Sequence, residues 1–528
     1  LHNEILVEGS FSSLRKRDTC GTSGVRCDGA NPCCSKWGYC GSSDQYCGDG
    51  CVAAASAEAA CKTSPPPPPP PPVSGLNSCL SSVSGKVIYP NDADYSKLIV
   101  DENKWIQYYP VALVYAANVA DVQTAVKCAK ASKINVAPRS GGHSFESYSI
   151  GGKNGSLVID LKELNQIKID KSSNTAIIGA GNKLGTIYYV LSQAGYFIPA
   201  GTCPGVGISG LALGGGYGFS SRKYGLTVDS VLSMDMVDAT GSLITANSGQ
   251  NSELFFALRG AGGGSYGVVT YFTFKINQTP SQITSFQYKW PTSSVYTLIP
   301  ALESYARSGT NDVTFNCVWS NTGLSVQGNF IGLQSDLPAA LDSFLSSAPG
   351  YTIEKIIQHS FWESVVYFGY QSESFTKDPT LLPYNFKSKS FYVAEPGLSS
   401  AGIKAMGDFL AAPACKTYAI LAIYGGVIKS VSSDAMAFIH RDPLFSIELL
   451  TYWDDGDSNA KACVSNINTF SDDWQDRYAS PFNYQNYIDR DLKNWQNKYY
   501  GSSYPKLVKV KDEYDPDKLF NFPQAIGN

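Results

Sequence analysis

Two short segments place reactive side chains inside runs of glycine. The first is Pro138-Arg139-Ser140-Gly141-Gly142-His143-Ser144. The second is Gly201-Thr202-Cys203-Pro204-Gly205-Val206-Gly207, followed by the glycine run 214–218. Glycine lets backbone N–H groups approach a bound group closely and turn together onto an anion such as a diphosphate. The chain has only 4 histidines, and one of them sits in the first loop. A cysteine occupies the second loop, where a ligand could approach. Gly205-Val206-Gly207-Ile208-Ser209-Gly210 also fits the dinucleotide pattern G-x-G-x-x-G, with Asp229 about 20 residues on. A Rossmann turn, however, opens the first βαβ unit of its domain directly after a buried strand. This one lies deep inside a domain already under way, behind Ile198-Pro199-Ala200, so a nicotinamide site is rejected.

The elements that must position these loops follow from periodicity. Residues 117–133 show helical spacing at Val119, Val122, Val126 and Ala129, and a strand-like INVAPR follows. Residues 157–161, 176–179 and 267–274 read as strands, and 183–194 as a helix ended by Gly195. The spacing predicts an α+β domain over 77–278. Residues 279–475 change character, with alternating strands such as 313–319 and 446–453, and predict a second domain built on a sheet. No repeat is visible.

Bulk properties narrow the function classes. Charged residues are 16% of the chain and the formal net charge is -4, so nothing favours nucleic acid or an anionic membrane as partner. No stretch of about 18 apolar residues exists to span a bilayer. The 33 tyrosines suit a polar ligand met by amphipathic rings. Eight of the 14 cysteines fall between Cys20 and Cys61, which predicts a disulfide-stapled miniature domain made in an oxidising compartment. Residues 1–19, with Arg15-Lys16-Arg17 near their end, read as a pro-segment. Sequons at Asn154 and Asn277 agree with secretion. Residues 65–72 are eight consecutive prolines, a stiff extended spacer of about 25 Å at roughly 3.1 Å per residue. The linker is placed at 62–76. There is no Cys/His spacing for a metal and no Ser-His-Asp signature.

The cysteine ladder around Cys33-Cys34, carried by CCSKWGYCGSSDQYC, resembles the hevein-type chitin-binding module over 20–61. The resemblance implies that Ser35, Trp37, Tyr39 and Tyr46 bind N-acetylglucosamine units. An apolar sugar face stacks on an aromatic ring while hydroxyls bond the polar groups.

PRSGGHSF, GTCPGVGISGLALGGGYG, RGAGGGSYGVV, YQNYID and YPKLVKVKDEYDPDKLF together resemble the berberine-bridge-enzyme-like FAD oxidases, nearest to their oligosaccharide oxidases. The resemblance covers about 77–528. It implies a vanillyl-alcohol-oxidase-type FAD domain, a substrate domain on an antiparallel sheet, and a C-terminal segment, 476–528, returning to the FAD domain. It implies FAD bonded through His143 and Cys203, and a cofactor bed of Arg139, Ser140, Gly141, Gly142, Ser144, Gly207, Gly210, Gly215, Gly216, Gly218, Val269 and Asn486. Tyr487 is implied as the base, Tyr484 and Phe145 as substrate neighbours, and Glu448 as a carboxylate near the flavin. A pairing of Cys79 with Cys128 is implied as well, leaving one odd thiol among Cys317, Cys415 and Cys463.

The expected reaction takes the C1 hydroxyl of an oligosaccharide, nearest a chito-oligosaccharide, to the lactone. A base removes the hydroxyl proton and the flavin accepts hydride. Oxygen or a quinone then takes the electrons; Val206 matches a small-residue position that favours oxygen. The alternatives are a dehydrogenase or alcohol oxidase of the same family, or a chitin-binding lectin with an inert flavin domain. Two departures stand out. Phe145 occupies a position that is tyrosine in some oligosaccharide oxidases. The strand 418–424, before Gly425-Gly426, lacks the aspartate expected to assist the base.

Overall fold

The computed structural model describes residues 73–528 and, before them, the backbone of a short ladder pairing Cys33 and Cys34 with Gly41 and Cys40. The pro-segment, the sugar-binding set Ser35, Trp37, Tyr39 and Tyr46, and the proline run lie outside the described residues.

The N-terminal half stacks two sheets around one core. The first contains β1 (Lys86–Ile88), β2 (Ala112–Tyr115), β3 (Val136–Arg139) and β4 (Leu157–Asp160) in the order β1-β2-β4-β3. β2 and β3 both run parallel to β4. Parallel strands need crossovers; the chain leaves β2 through helix α1 (Val119–Ala131) and enters β3 on the far side of β4. The helix starts where the Asn118 side chain accepts a hydrogen bond from the Asp121 N–H, and it buries Val122, Ala125, Val126 and Ala129. The second sheet is antiparallel, with β5 (Ile167–Asp170), β6 (Thr175–Gly179), β7 (Val231–Val237), β8 (Leu243–Asn247) and β9 (Val268–Lys275) in the order β8-β7-β9-β6-β5. Helices α2 (Leu184–Gln193) and α3 (Ile208–Gly214) lie between β6 and β7 in sequence and flank the cysteine loop.

The following part is a seven-stranded antiparallel sheet. Its strands are β10 (Ile283–Trp290), β11 (Val313–Ser320), β12 (Gly323–Phe330), β13 (Thr352–His359), β14 (Asn385–Val393), β15 (Lys416–Ile423) and β16 (Phe445–Trp453), in the order β13-β10-β12-β11-β15-β16-β14. Every residue of β14 and β16 is buried, because both faces of the sheet are covered. Alternate side chains go to opposite faces. Phe445, Ile447 and Leu449 enter a core with helices α4 (Val295–Ser308), α5 (Leu337–Ser347), α6 (Ser400–Ala411) and α7 (Ala460–Tyr478). Leu450 and Tyr452 join a separate aromatic cluster with Phe145, Tyr384, Phe386 and Tyr418.

Helix α8 (Tyr504–Tyr514) packs Leu507 and Val510 into the N-terminal core, and the Val136 N–H donates to the Leu519 carbonyl at 2.9 Å. Cys79 is bonded to Cys128, and Cys415 to Cys463. The odd thiol is therefore Cys317, buried on β11. Asp229, the ribose ligand that a Rossmann reading requires, is spent in a two-pronged ion pair with Arg441 at 2.7 and 2.9 Å.

Candidate active site

The histidine loop leaves the C-terminal end of β3, and the cysteine loop is pinned beside it. The Leu184 and Gly185 N–H groups at the start of α2 donate to the carbonyls of Val206 and Pro204. A Cβ on Gly141 would lie 2.3 Å from the Gly207 nitrogen, and one on Gly207 would lie 2.3 Å from the Gly141 nitrogen. The two loops thus touch backbone to backbone, which only glycine at both places permits. A Cβ on Gly205 would stand 3.0 Å from His143 Nε2, so the cysteine loop also abuts the imidazole. Ser140 and Ser209 both donate to the Ala180 carbonyl, at 2.6 and 2.7 Å, and fix the seam from below.

A long cavity opens along this seam. Ser140, Gly141, Gly142, His143, Ser144, Phe145, Val206, Gly207, Gly210, Val269, Tyr484, Asn486 and Tyr487 line it together, with Gly263, Gly264 and Phe522 on the far side. Other expected residues stand back from it. Arg139 points away, donating to Asp160 at 2.6 Å and to the Leu98 carbonyl at 2.6 Å, so its charge is already matched. Gly215, Gly216 and Gly218 shape the turn behind α3. The Gly216 N–H donates to the Tyr484 hydroxyl at 2.7 Å, and a Cβ on Gly215 would strike Phe438. Gly218 packs against the Ala200 carbonyl. Cys203 is a half-buried free thiol beside the imidazole loop, outside the cavity lining. Its enclosure, and then the nearby Glu102 carboxylate, push that thiol above the usual range.

Opposite the glycine seam lies the loop 484–489. The Asn486 amide donates to the Leu211 carbonyl at 3.1 Å and to the Tyr484 hydroxyl at 2.9 Å, clamping the loop on α3. The Tyr484 hydroxyl is therefore engaged by the protein, and its ring faces the cavity. Phe145 stacks on Tyr487 with centroids 5.5 Å apart and planes 3° off parallel. Glu448 reaches Tyr487 from β16 and is hydrogen-bonded to its hydroxyl. Ser388 donates to the same carboxyl at 3.4 Å. This corrects one expectation. Tyr487 does not lack an acidic neighbour; the carboxyl lies on the strand next to 418–424, in register with Ile420. Glu448 is buried there, 6% exposed. Burial lifts Glu448 to about 8, against the lowering effect of its hydrogen bonds to Tyr487 and Ser388. Burial, and then the Glu448 charge, hold the Tyr487 phenol well above its usual range.

Residues 110–247 match the family model of an FAD binding domain, and 483–527 match the model described as berberine and berberine like. A xylooligosaccharide oxidase from Thermothelomyces thermophilus is 30% identical over 86% of this chain and 94% of its own length. The chain belongs to the berberine-like family of FAD-linked oxidoreductases. The solved structure of BBE-like 1 from Physcomitrella patens is 36% identical, with a TM-score of 0.81 over 85% of this chain and 98% of that one. The glucooligosaccharide oxidase of Acremonium strictum, solved with a 6-S-cysteinyl, 8α-N1-histidyl FAD, is 26% identical with a TM-score of 0.80, covering 85% of this chain and 98% of that one. The chain is thus an FAD-dependent oxidoreductase, and the glycine seam fits that cofactor. The seam is bare backbone, it is continuous with the cavity, and it holds a buried imidazole whose Nε2 has no hydrogen-bond partner among the described residues.

In this berberine-like site, sequence reasoning missed two sets of residues. Lys387 is buried on β14 and pairs with Glu146 at 2.7 Å, Asp489 at 2.6 Å and Asp491 at 2.9 Å. Lys389, two residues along the same face, pairs with Asp489 at 2.6 Å. The network ties the histidine loop, the sheet and the tyrosine loop together. Its signal in the sequence is the alternation Lys387-Ser388-Lys389-Ser390 in the middle of a strand that ends Phe391-Tyr392-Val393. The second set is Asp101 and Glu102, both buried under the histidine loop in a segment with no periodic pattern.

Proposed function

We propose that the protein is a secreted oxidase of oligosaccharides, holding FAD on His143 and Cys203 and converting the anomeric C1 hydroxyl to a lactone, with oxygen reduced to hydrogen peroxide. The observation that carries the reading is the buried Glu448–Tyr487 pair facing a cavity that begins at the glycine seam. FAD, when bound, supplies the hydride acceptor. The chain's own part is proton transfer. The Tyr487 hydroxyl takes the proton of the substrate hydroxyl and passes its own to Glu448. A phenol held far above neutrality is a weak base by itself, so the acceptor must be the carboxylate. A carboxylate lifted to about 8 holds a proton far more tightly than an ordinary one, which suits it to that duty near neutral pH. Phe145 fixes the Tyr487 ring by stacking. Val206, small and in the cavity wall, leaves oxygen room to approach.

The sugar is assigned from the N-terminal segment. A chitin-binding module on a stiff proline tether supports a chito-oligosaccharide, and the cysteine-dense segment supports secretion. A second reading has its own observation. The rings of Phe145, Tyr384, Phe386, Tyr418 and Tyr452 cluster beside the cavity and would equally receive an aromatic alcohol. A substrate panel decides between them. Peroxide release on chitotriose, cellotriose and xylotriose, but not on cinnamyl-type alcohols, supports the sugar reading. The reverse pattern overturns it. The cofactor part is tested by digesting the protein and weighing the peptides that contain His143 and Cys203, each expected to carry flavin.

A further inference from the structure

We infer that Asn103 is a positioning residue for proton transfer: its side-chain amide ties the loop that carries Phe145 to the strand that carries Phe386, and so holds the Tyr487 ring against Glu448. The inference rests on the reading that Tyr487 and Glu448 move the substrate proton. Asn103 is 1% exposed. Its Nδ2 donates to the Phe145 carbonyl at 2.8 Å and to the Phe386 carbonyl at 3.1 Å, and its Oδ1 accepts from the Trp105 N–H at 3.2 Å. A carbonyl can only accept and a backbone N–H can only donate, so the amide has one orientation here. The residue is itself fixed. Asn103 forms a parallel bridge with Tyr384, and the Lys104 N–H donates to the Tyr384 carbonyl at 3.1 Å. The Ser147 hydroxyl donates to the Asn103 carbonyl at 3.1 Å.

The place of these bonds gives them their role. β14 is the last strand of its sheet, so its outer carbonyls have no neighbouring strand to bond. The Phe386 carbonyl takes Asn103. Further along the same edge, the Ser390 carbonyl takes the Asn483 amide and the Tyr392 carbonyl takes the Ser480 N–H at 2.8 Å. The histidine loop, through Asn103, and the segment leading into the tyrosine loop therefore hang on one strand edge. The rings follow the backbone. Phe145 meets Phe386 edge to face, with centroids 5.0 Å apart, and lies parallel to Tyr487 at 5.5 Å. Phe386, Ser388 and Ser390 share one face of β14, and Ser390 stands opposite Glu448 of β16 on that face. Asn103 thus ties the residue that stacks on Tyr487 to the strand that packs beside Glu448. The Lys387 clasp joins the same loops by charge, through Glu146 and Asp489. Asn103 acts on the backbone of Phe145 itself.

A buried amide that merely satisfied two carbonyls would add stability and leave turnover per flavin-loaded molecule alone. A positioning role predicts more, because a displacement of about 1 Å near the reacting groups can cost about 10²-fold in rate. The test uses the full-length, flavin-loaded protein with Asn103→Leu, which keeps the bulk and removes the donors. Rates are taken per bound flavin, on the substrate that the panel above selects. kcat should fall about 10- to 100-fold, with KM and flavin content unchanged. A double-mutant cycle with Phe145→Leu separates positioning from general loosening. Phe145→Leu alone should lower kcat; in the Asn103→Leu background it should lower kcat by less than about threefold more, because both changes act through one ring. An unchanged kcat in Asn103→Leu, with only the urea midpoint lowered, overturns the proposal. So do independent, multiplicative losses in the double variant. If Asn103→Leu binds no flavin, Asn103→Asp takes its place; it keeps the acceptor for the Trp105 N–H and loses both donations, and the same outcomes decide. If Tyr487→Phe keeps the parent kcat, it is the proton-transfer reading that fails. Loss of activity in Tyr487→Phe beside full activity in Asn103→Leu sinks the Asn103 role alone.

Discussion

The two walls of the cavity are made of opposite materials. One is glycine backbone in loops, with no side chain between Gly141 and Gly207 and a neutral imidazole at its centre. The other is the tyrosine loop 484–488, backed by a sheet whose strands β14 and β16 carry buried charge, with Lys387 and Lys389 clasped by Glu146, Asp489 and Asp491 and with Glu448 against Tyr487. The first wall works by absence: it makes room and offers N–H groups to whatever enters. The second works by presence: its groups hold and move protons, and their ionisation is set by enclosure. A cofactor that brings its own chemistry needs the first kind of wall, and a substrate that must be deprotonated needs the second.

Four experiments would break or sharpen that contrast, from the largest expected effect down. Tyr487→Phe removes the hydroxyl and keeps the Phe145 stack; kcat should fall by about 10²–10⁴-fold with flavin content unchanged, measured by oxygen uptake and absorbance. Survival of activity would move the proton chemistry off this wall. Lys387→Met takes from Glu146, Asp489 and Asp491 the cation they share, leaving Arg490 on Glu146 and Lys389 on Asp489, and should cost about 1.5–3 kcal/mol in urea unfolding. It should also weaken turnover, because the clasp joins both active-site loops. Gly207→Ala forces a Cβ to within 2.3 Å of the Gly141 nitrogen; the loops must part, at about 1–3 kcal/mol, with flavin content reduced and Glu448 untouched.

The last test is pH. Glu448 acts as acceptor only when ionised, so kcat should climb about tenfold per unit up to about 8 and then level, and Glu448→Gln should flatten the climb. In the apoprotein Asp101 is lifted to about 7, and Glu102 and Glu448 to about 8. Acids raised in the fold lend stability that is full below their unfolded values and lost as pH rises through 7–8. His143 and His440, lowered to about 3, act oppositely and cost stability below about 6.5. The steepest loss should therefore fall between pH 6.5 and 8, at up to about 1.4 kcal/mol per unit for each acid, seen as a falling urea midpoint.

By itself the sequence determined the parts that are local. Loop glycines, the helix read at 117–133 and the strands read at 157–161, 313–319 and 446–453 follow from spacing over a few residues, and the fold has them at Val119–Ala131, Leu157–Asp160, Val313–Ser320 and Phe445–Trp453. His143, Phe145, Asn486, Tyr484 and Tyr487 meet in one cavity as their motifs led one to expect. What only tertiary structure decided is the partnership of groups far apart in the chain. Glu448 sits beside Tyr487 and Glu102 beside His143, while Arg139 is claimed by Asp160 and the odd thiol is Cys317. A residue's type shows in the sequence, but its ionisation depends on how much water is taken away and which charge is brought near. Both are set by packing between distant segments, which no short spacing encodes.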